Sequence, residues 1–224
     1  MSGQNEFAII GLGNIGKVIS TNLAKSGRSF IVADRDQAKA KDLAQKLGIH
    51  VRPLDLDSAI RNADMLLLSI PFGSFRSFLA EYASLLSEKI ILDPSNPIAP
   101  DGKGGFAKII GQDESAGEIN SSYLPKGARL VKAFGTLGAA SLAGAAFQKS
   151  DANVLFYASN DLSIDGSIEQ LIRDAGFTPL RAGNLDQSIR LEVFGDLHEF
   201  GKLGKPVTKS EAEKFLKEKS LLAI

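Results

Sequence analysis

The chain has no cysteine and no tryptophan, and only two histidines among its 224 residues. The missing cysteine excludes disulfides, thiolate nucleophiles and cysteine-ligated metals. Charge of either sign is also lacking in excess. Lys and Arg together number 26, as do Asp and Glu, so nothing electrostatic points to nucleic acid or a membrane surface as partner. The longest apolar run, Met65 to Ile70, is of strand length and far too short to cross a bilayer. Residues Met1 to Glu6 lack the basic and apolar stretches of a secretory signal, so a cytoplasmic protein is expected. The serine-hydrolase elbow, the zinc-binding H-E-x-x-H and the Walker loop are all absent, and no metal site is expected.

What is present begins at Phe7. The apolar run Phe7-Ala8-Ile9-Ile10 leads into Gly11-Leu12-Gly13-Asn14-Ile15-Gly16, and a helical pattern follows through Val18, Ile19 and Leu23. This is G-x-G-x-x-G after a strand and opening a helix, the context in which it binds a dinucleotide. Gly11 suits the tight turn, Gly13 lets a pyrophosphate approach the backbone, and Gly16 lets helix and strand pack closely. The helix N-terminus offers free amides and a positive dipole end to the phosphates. A second strand, Ser29 to Ala33, ends at Asp34, the ribose-binding position of such a unit. Asp34 accepts hydrogen bonds from ribose hydroxyls and tilts the cofactor towards NAD. Arg35 and Lys39 can reach a 2′-phosphate or stand as solvated surface charges, so NAD and NADP both remain open.

The first half of the chain alternates strand and helix. Helical spacing covers Gln37–Leu47, Ser58–Asn62 and Ser74–Leu86. Strands are expected at Ile49–Val51, Met65–Ile70 and Lys89–Asp93. The alternation implies an α/β fold, a doubly wound parallel sheet of Rossmann type. Ser69-Ile70-Pro71-Phe72, closing the fourth strand, is expected beside the cofactor, unless Pro71 is a plain strand-ending proline. Residues 93–105 are rich in Pro and Gly and read as irregular, with the first half a cleft wall and the glycines a flap. Further on, helices are expected at Ser115–Leu124, Ile164–Ala175 and Asn184–Phe200, and strands at Ala128–Ala133, Val154–Ala158 and Phe177–Arg181. Ala139–Ala146 reads as a short helix or tight loop. Ser210 to Glu213 resembles a capping box opening a charged terminal helix. The dinucleotide unit is placed at residues 1–150, and a small C-terminal α/β portion with its terminal helix at 151–224.

Acid–base candidates are few. His50 has no assigned role, and His198 reaches the cleft only if its helix packs across the carboxyl edge of the sheet. A dehydrogenase acting on an alcohol needs a proton donor or acceptor beside the reacting carbon. Hydride transfer between two cofactors needs mainly the right stacking.

With Ser69-Ile70-Pro71-Phe72, Asp93-Pro94-Ser95-Asn96-Pro97 and Val131-Lys132-Ala133-Phe134-Gly135-Thr136-Leu137-Gly138 added to the glycine turn, the chain resembles the coenzyme F420-dependent NADP oxidoreductase family. It also resembles the oxidoreductase domain of the STEAP metalloreductases, over roughly residues 6–200. The resemblance implies a Rossmann domain, a homodimer, and a nicotinamide facing a deazaflavin (F420) or a flavin such as FMN or FAD. It implies phosphate contacts around Leu12 to Ile15 and 2′-phosphate contacts at Asp34, Arg35 and Lys39. The acceptor side falls on Ser95, Asn96, Pro97, Phe134, Gly135 and Thr136. Asp34 stands where the family often has a small hydroxyl residue. Two other functions remain open. One is a small-substrate dehydrogenase or imine reductase with His198 or Lys132 supplying the proton. The other is a redox sensor that binds the dinucleotide without turnover.

Overall fold

The computed structural model describes residues 6–148 and 151–221. Alternation along each strand builds two apolar layers. In β1 (Phe7–Ile10), Phe7 and Ile9 face one side and Ala8 and Ile10 the other. The first layer is covered by α1 (Asn14–Lys25) through Ile19 and Leu23. After β2 (Phe30–Ala33), α2 (Gln37–Leu47) joins the same layer, started by Asp36, whose carboxylate accepts the Ala38 N–H at 3.1 Å. β3 (Val51–Pro53) is followed by α3 (Leu56–Asn62), which packs Ala59 and Ile60 on the opposite face. β4 (Met65–Leu68), α4 (Phe72–Glu81), α5 (Ala83–Leu86) and β5 (Ile90–Asp93) complete the first half, with Phe75, Leu79 and Leu86 on that second face. Strands buried on both faces explain the unbroken apolar run at Met65.

The remaining elements are a hairpin of β6 (Ile98–Pro100) and β7 (Phe106–Lys108), then α6 (Ala116–Ser121), β8 (Arg129–Ala133), α7 (Ala139–Gly144) and β9 (Val154–Ser159). After these come α8 (Asp165–Asp174), β10 (Thr178–Gly183), α9 (Ser188–Leu191) and α10 (Lys209–Leu221). Eight strands form one sheet in the order β10-β9-β8-β5-β4-β1-β2-β3. This is the doubly wound Rossmann arrangement, with the order reversing between β1 and β4. The expectation of a wholly parallel sheet needs one correction, because β8 and β9 pair antiparallel. The link between them carries only the six-residue α7, about 9 Å long. That helix packs on the last turn of α1, where the Asn22 amide donates to the Leu142 carbonyl at 2.9 Å, and Leu142 joins the first apolar layer. β9 and β10 extend the same sheet, and the edge strands β3 and β10 carry Pro53 and Pro179. The division expected at residue 150 falls at residues 149–150, outside the described residues.

Several local expectations change. The third strand is Val51–Pro53 instead of Ile49–Val51, because a turn closed by the Val51 N–H on the Gly48 carbonyl leaves Ile49 in solvent. The helix expected at Ser74–Leu86 starts at Phe72 and breaks at Tyr82. The helix over Ser115–Leu124 is only Ala116–Ser121. The stretch read as irregular, 93–105, contains β6 and the tip of the β6–β7 hairpin, which is tied by Asp101 accepting the Lys103 and Gly105 N–H groups. The helix expected over Asn184–Phe200 is a single 3-10 turn plus α9. Glu192 is extended (ψ 163°), and a Cβ on Gly195 would lie 2.4 Å from the Arg190 carbonyl oxygen, so the chain is folded back on itself there. The terminal capping box lies two residues earlier than expected. The Thr208 N–H donates to the Glu211 carboxylate at 2.9 Å, and the Glu211 N–H to Thr208 Oγ1 at 3.4 Å.

Candidate functional site

The three glycines of the first turn divide by role. Gly11 has φ +90°, and a Cβ on it would lie 2.3 Å from the Ser69 carbonyl oxygen. A Cβ on Gly16 would lie 2.0 Å from the Gly11 carbonyl oxygen. Both are therefore demanded by the protein's own packing, where β1, β4 and α1 meet. Gly13 is different: it is exposed, and a Cβ there would meet nothing within 4 Å. No contact among the described residues demands a glycine at this position. Gly13 caps α1, whose first turn has no side-chain cap and no acidic residue, so its amides remain available to an anion.

Asp34 ties the end of β2 to this turn. Its Oδ2 accepts the Leu12 N–H at 2.8 Å and its Oδ1 accepts the Asp36 N–H at 3.0 Å. A cleft of about 450 Å³ opens over the carboxyl ends of β1, β2 and β4, a size suited to a nucleotide-scale ligand. Gly11, Leu12, Gly13, Asp34, Arg35, Lys39, Ser69, Ile70 and Pro71 all line it. Gly16 is buried behind the turn, Asn14 and Ile15 lie in the first turn of α1, and Phe72 opens α4 half-buried. The far wall, with Ser77, Phe78 and Glu81 of α4 and Tyr82 just after it, is not among the expected site residues. Its only signal in the sequence is the polar face of a helix following Pro71.

The second group of expected residues lies at the ends of β5 and β8. Asn96 joins their two loops. Its Nδ2 donates to the Gly135 carbonyl at 3.1 Å, and its Oδ1 accepts the Val193 N–H at 2.8 Å. Phe134 has φ +62°, an unusual backbone for a bulky residue. A Cβ on Gly135 would lie 2.9 Å from the Pro94 carbonyl oxygen, so the loops touch. Pro97 and the side chains of Ser95 and Thr136 are buried, and the two hydroxyls have no protein partner among the described residues.

Beneath these loops lies a charged cluster around Lys132, which the sequence offered only as a proton donor, without its ionic partners. Lys132, 1% exposed, donates to Asp93 Oδ2 at 3.2 Å and to the Ser95 carbonyl, and lies 3.8 Å from Glu192 Oε1. Asn120 also donates to Asp93 Oδ2, at 2.9 Å. Glu192 Oε1 accepts the Gly117 N–H at 3.1 Å, and burial pushes its carboxyl above the ordinary range. Only a paired arrangement makes such charges tolerable in the interior.

The segment from Glu192 to Gly201 straps these loops down. The Glu199 N–H donates to the Thr136 carbonyl at 3.1 Å, and its carboxylate accepts the Gly138 N–H and, at 2.5 Å, the Ser141 hydroxyl. His198 is buried in the strap, on no helix. Its Nδ1 accepts the Phe200 N–H at 2.9 Å and its other nitrogen bonds the Gly135 carbonyl. Burial, the largest cause, depresses its pKa to about 4, helped by the Lys132 charge, so the ring is neutral and both nitrogens are used. Among the described residues no group of His, Asp and Glu could hold a metal ion, and no helix is long and apolar enough to cross a membrane.

Strand, glycine turn, helix N-terminus and acidic strand end, gathered on a cleft at the switch between β1 and β4, define a Rossmann-type dinucleotide-binding protein. The comparisons place it more closely. Residues 6–97 match the family described as NADP oxidoreductase, coenzyme F420-dependent. The rat metalloreductase STEAP3 is 26% identical over 185 residues, 83% of this chain and 35% of that protein. The F420-dependent NADP reductase of Methanothermobacter marburgensis is 26% identical over 141 residues, 59% of this chain and 63% of that protein. The chain thus spans about one third to two thirds of the length of these curated relatives. The crystal structure of a hypothetical protein from Sinorhizobium meliloti matches with TM-score 0.79 at 27% identity, covering 92% of this chain and 96% of that one. The resemblance drawn from the motifs, to the F420-dependent reductases and the STEAP domain, agrees with these matches.

Proposed function

We propose that this chain transfers hydride between a nicotinamide nucleotide, NADP or NAD, and a planar acceptor such as F420, FMN or FAD. The observation that carries the reading is the state of the acid–base groups. Lys132, Asp93, Glu192 and His198 all lie at the acceptor loops, and all are buried and bonded within the protein. Apart from Glu192 Oε2 and the two hydroxyls of Ser95 and Thr136, which are buried without a protein partner, these groups are engaged with one another or with the backbone, which favours transfer between two cofactor rings over a dehydrogenase or imine reductase.

The residues fit a dinucleotide. Gly13 and the N-terminal amides of α1 hold the pyrophosphate, Asp34 takes the ribose, and Arg35 and Lys39 flank a 2′-phosphate. Ser69, Ile70 and Pro71 wall the path to the nicotinamide. Ser95, Asn96, Pro97, Phe134, Gly135 and Thr136 form the acceptor side, where the two unpartnered hydroxyls suit the polar edge of a ring. The nicotinamide supplies a hydride, two electrons with one proton, and solvent supplies the second proton that the reduced acceptor carries. A cytoplasmic homodimer is part of the same proposal, its mass to be read by light scattering.

Stopped-flow mixing of NADPH and NADH with F420, FMN and FAD tests the reading. Loss of nicotinamide absorbance with at least one pair is expected. Tight nucleotide binding without turnover by any of the three acceptors would replace it with the sensor reading.

A further inference from the structure

Phe200 is displayed in a way that packing alone does not explain. Its side chain is 63% exposed, yet it is held from several sides. The His198 ring lies beside it, centroids 5.3 Å apart and planes at 38°. Its own N–H is bound by His198 Nδ1, and the next N–H, of Gly201, donates to the His198 carbonyl at 2.9 Å. A Cβ on Gly201 would lie 1.7 Å from the Gly195 carbonyl oxygen, so the strap can only close with glycine there. The Phe200 ring edge lies against Gly138, where a Cβ would come 3.3 and 3.4 Å from two ring carbons.

The ring thus stands, fixed and open to solvent, where the acceptor turn meets α7. That junction is built from the small residues Gly138, Ala139 and Ala140. With only these small residues beside it, the exposed face of the ring is open to a flat ligand. Offset stacking on an aromatic face is the favoured geometry for a flat conjugated ligand.

We propose that Phe200 is the stacking platform for the planar ring of the second substrate, beside the loops Ser95–Pro97 and Phe134–Thr136. The inference rests on the hydride-transfer reading, but the two can fail separately. The chain has no tryptophan, so Phe200→Trp places a single reporter at the platform. Leu162→Trp puts the same reporter on an exposed site beyond the far end of β9. With NADP⁺ present, each variant is titrated with FMN and, in a separate arm, with F420. The acceptor is expected to remove more than half of the indole emission of Phe200→Trp, saturably, and to leave that of Leu162→Trp unchanged. Phe200→Ala is expected to raise the KM of the acceptor about fivefold to tenfold with the nucleotide Kd unchanged.

Saturable quenching without turnover would keep the platform and remove the hydride-transfer reading. Turnover without quenching by either acceptor would overturn the platform and leave that reading standing. Neither quenching nor turnover would overturn both. Emission that shifts with protein concentration instead of acceptor would overturn the platform by assigning the ring to a contact between copies.

Discussion

At the residue scale the glycine turn makes a sharp distinction. Gly13→Ala adds a methyl where nothing lies within 4 Å, so the protein should unfold at the wild-type temperature while its NADPH Kd rises about tenfold or more. Gly16→Ala drives a methyl into the Gly11 carbonyl and should lower stability by roughly 2 kcal/mol or more, read in urea unfolding. The motif is legible because its geometry is local: three glycines and one acid within a single βαβ unit. His198 is not. Its role depends on a loop closing over residues about 60 positions earlier, and no local pattern reports that. Its pKa of about 4 in the folded chain lies below the ordinary 6.5. Between those values the unfolded chain binds the extra proton, so stability is full above about pH 6.5, falls on acidification and levels off below about pH 4. The whole loss is about 3 kcal/mol at most. Unfolding curves from pH 7 to pH 4 should lose this component of their slope in His198→Asn.

At the scale of elements, β1, α1, β2, α2, β4 and β5 are readable from periodicity, because each buries a face with its own regular spacing. The strap reads as a helix for the same reason in reverse. Leu191 and His198 lie seven residues apart, as on one helix face, but Leu191 and Leu197 are buried against Val154, Phe156 and Val207, and His198 against Gly135, all from elsewhere in the fold. The antiparallel β9 is equally invisible, since the apolar run of a strand does not report its direction. The loops proposed for the acceptor are held by ionic contacts that no motif contains. Lys132→Met removes the cation between Asp93 and Glu192 and leaves buried carboxylates without their partner. The expected cost is about 3–5 kcal/mol, visible as a lowered urea midpoint. Because Lys132 also holds the Ser95 carbonyl, surviving activity should show a raised acceptor KM with nucleotide binding intact.

At the scale of the whole molecule, both halves of the site hang on one sheet edge. Nucleotide bound there holds β1, β2 and β4 together in the folded state only. NADPH at about 100 times its Kd should therefore stabilise the protein by about 2.7 kcal/mol, a rise in Tm of roughly 5–10 °C by calorimetry. Excess AMP, lacking pyrophosphate and nicotinamide, should give a smaller shift. The two ends of the sheet tell a different story. The outermost strands carry Pro53 and Pro179, and β10 is further distorted between Arg181 and Gly183. A proline offers no amide to a neighbouring chain, and an irregular border disrupts the register a new strand would need. The sheet is thereby sealed against growth at both borders. Two copies meeting in a crowded solution find no strand to add to, and a partly unfolded chain finds no template on its folded neighbours.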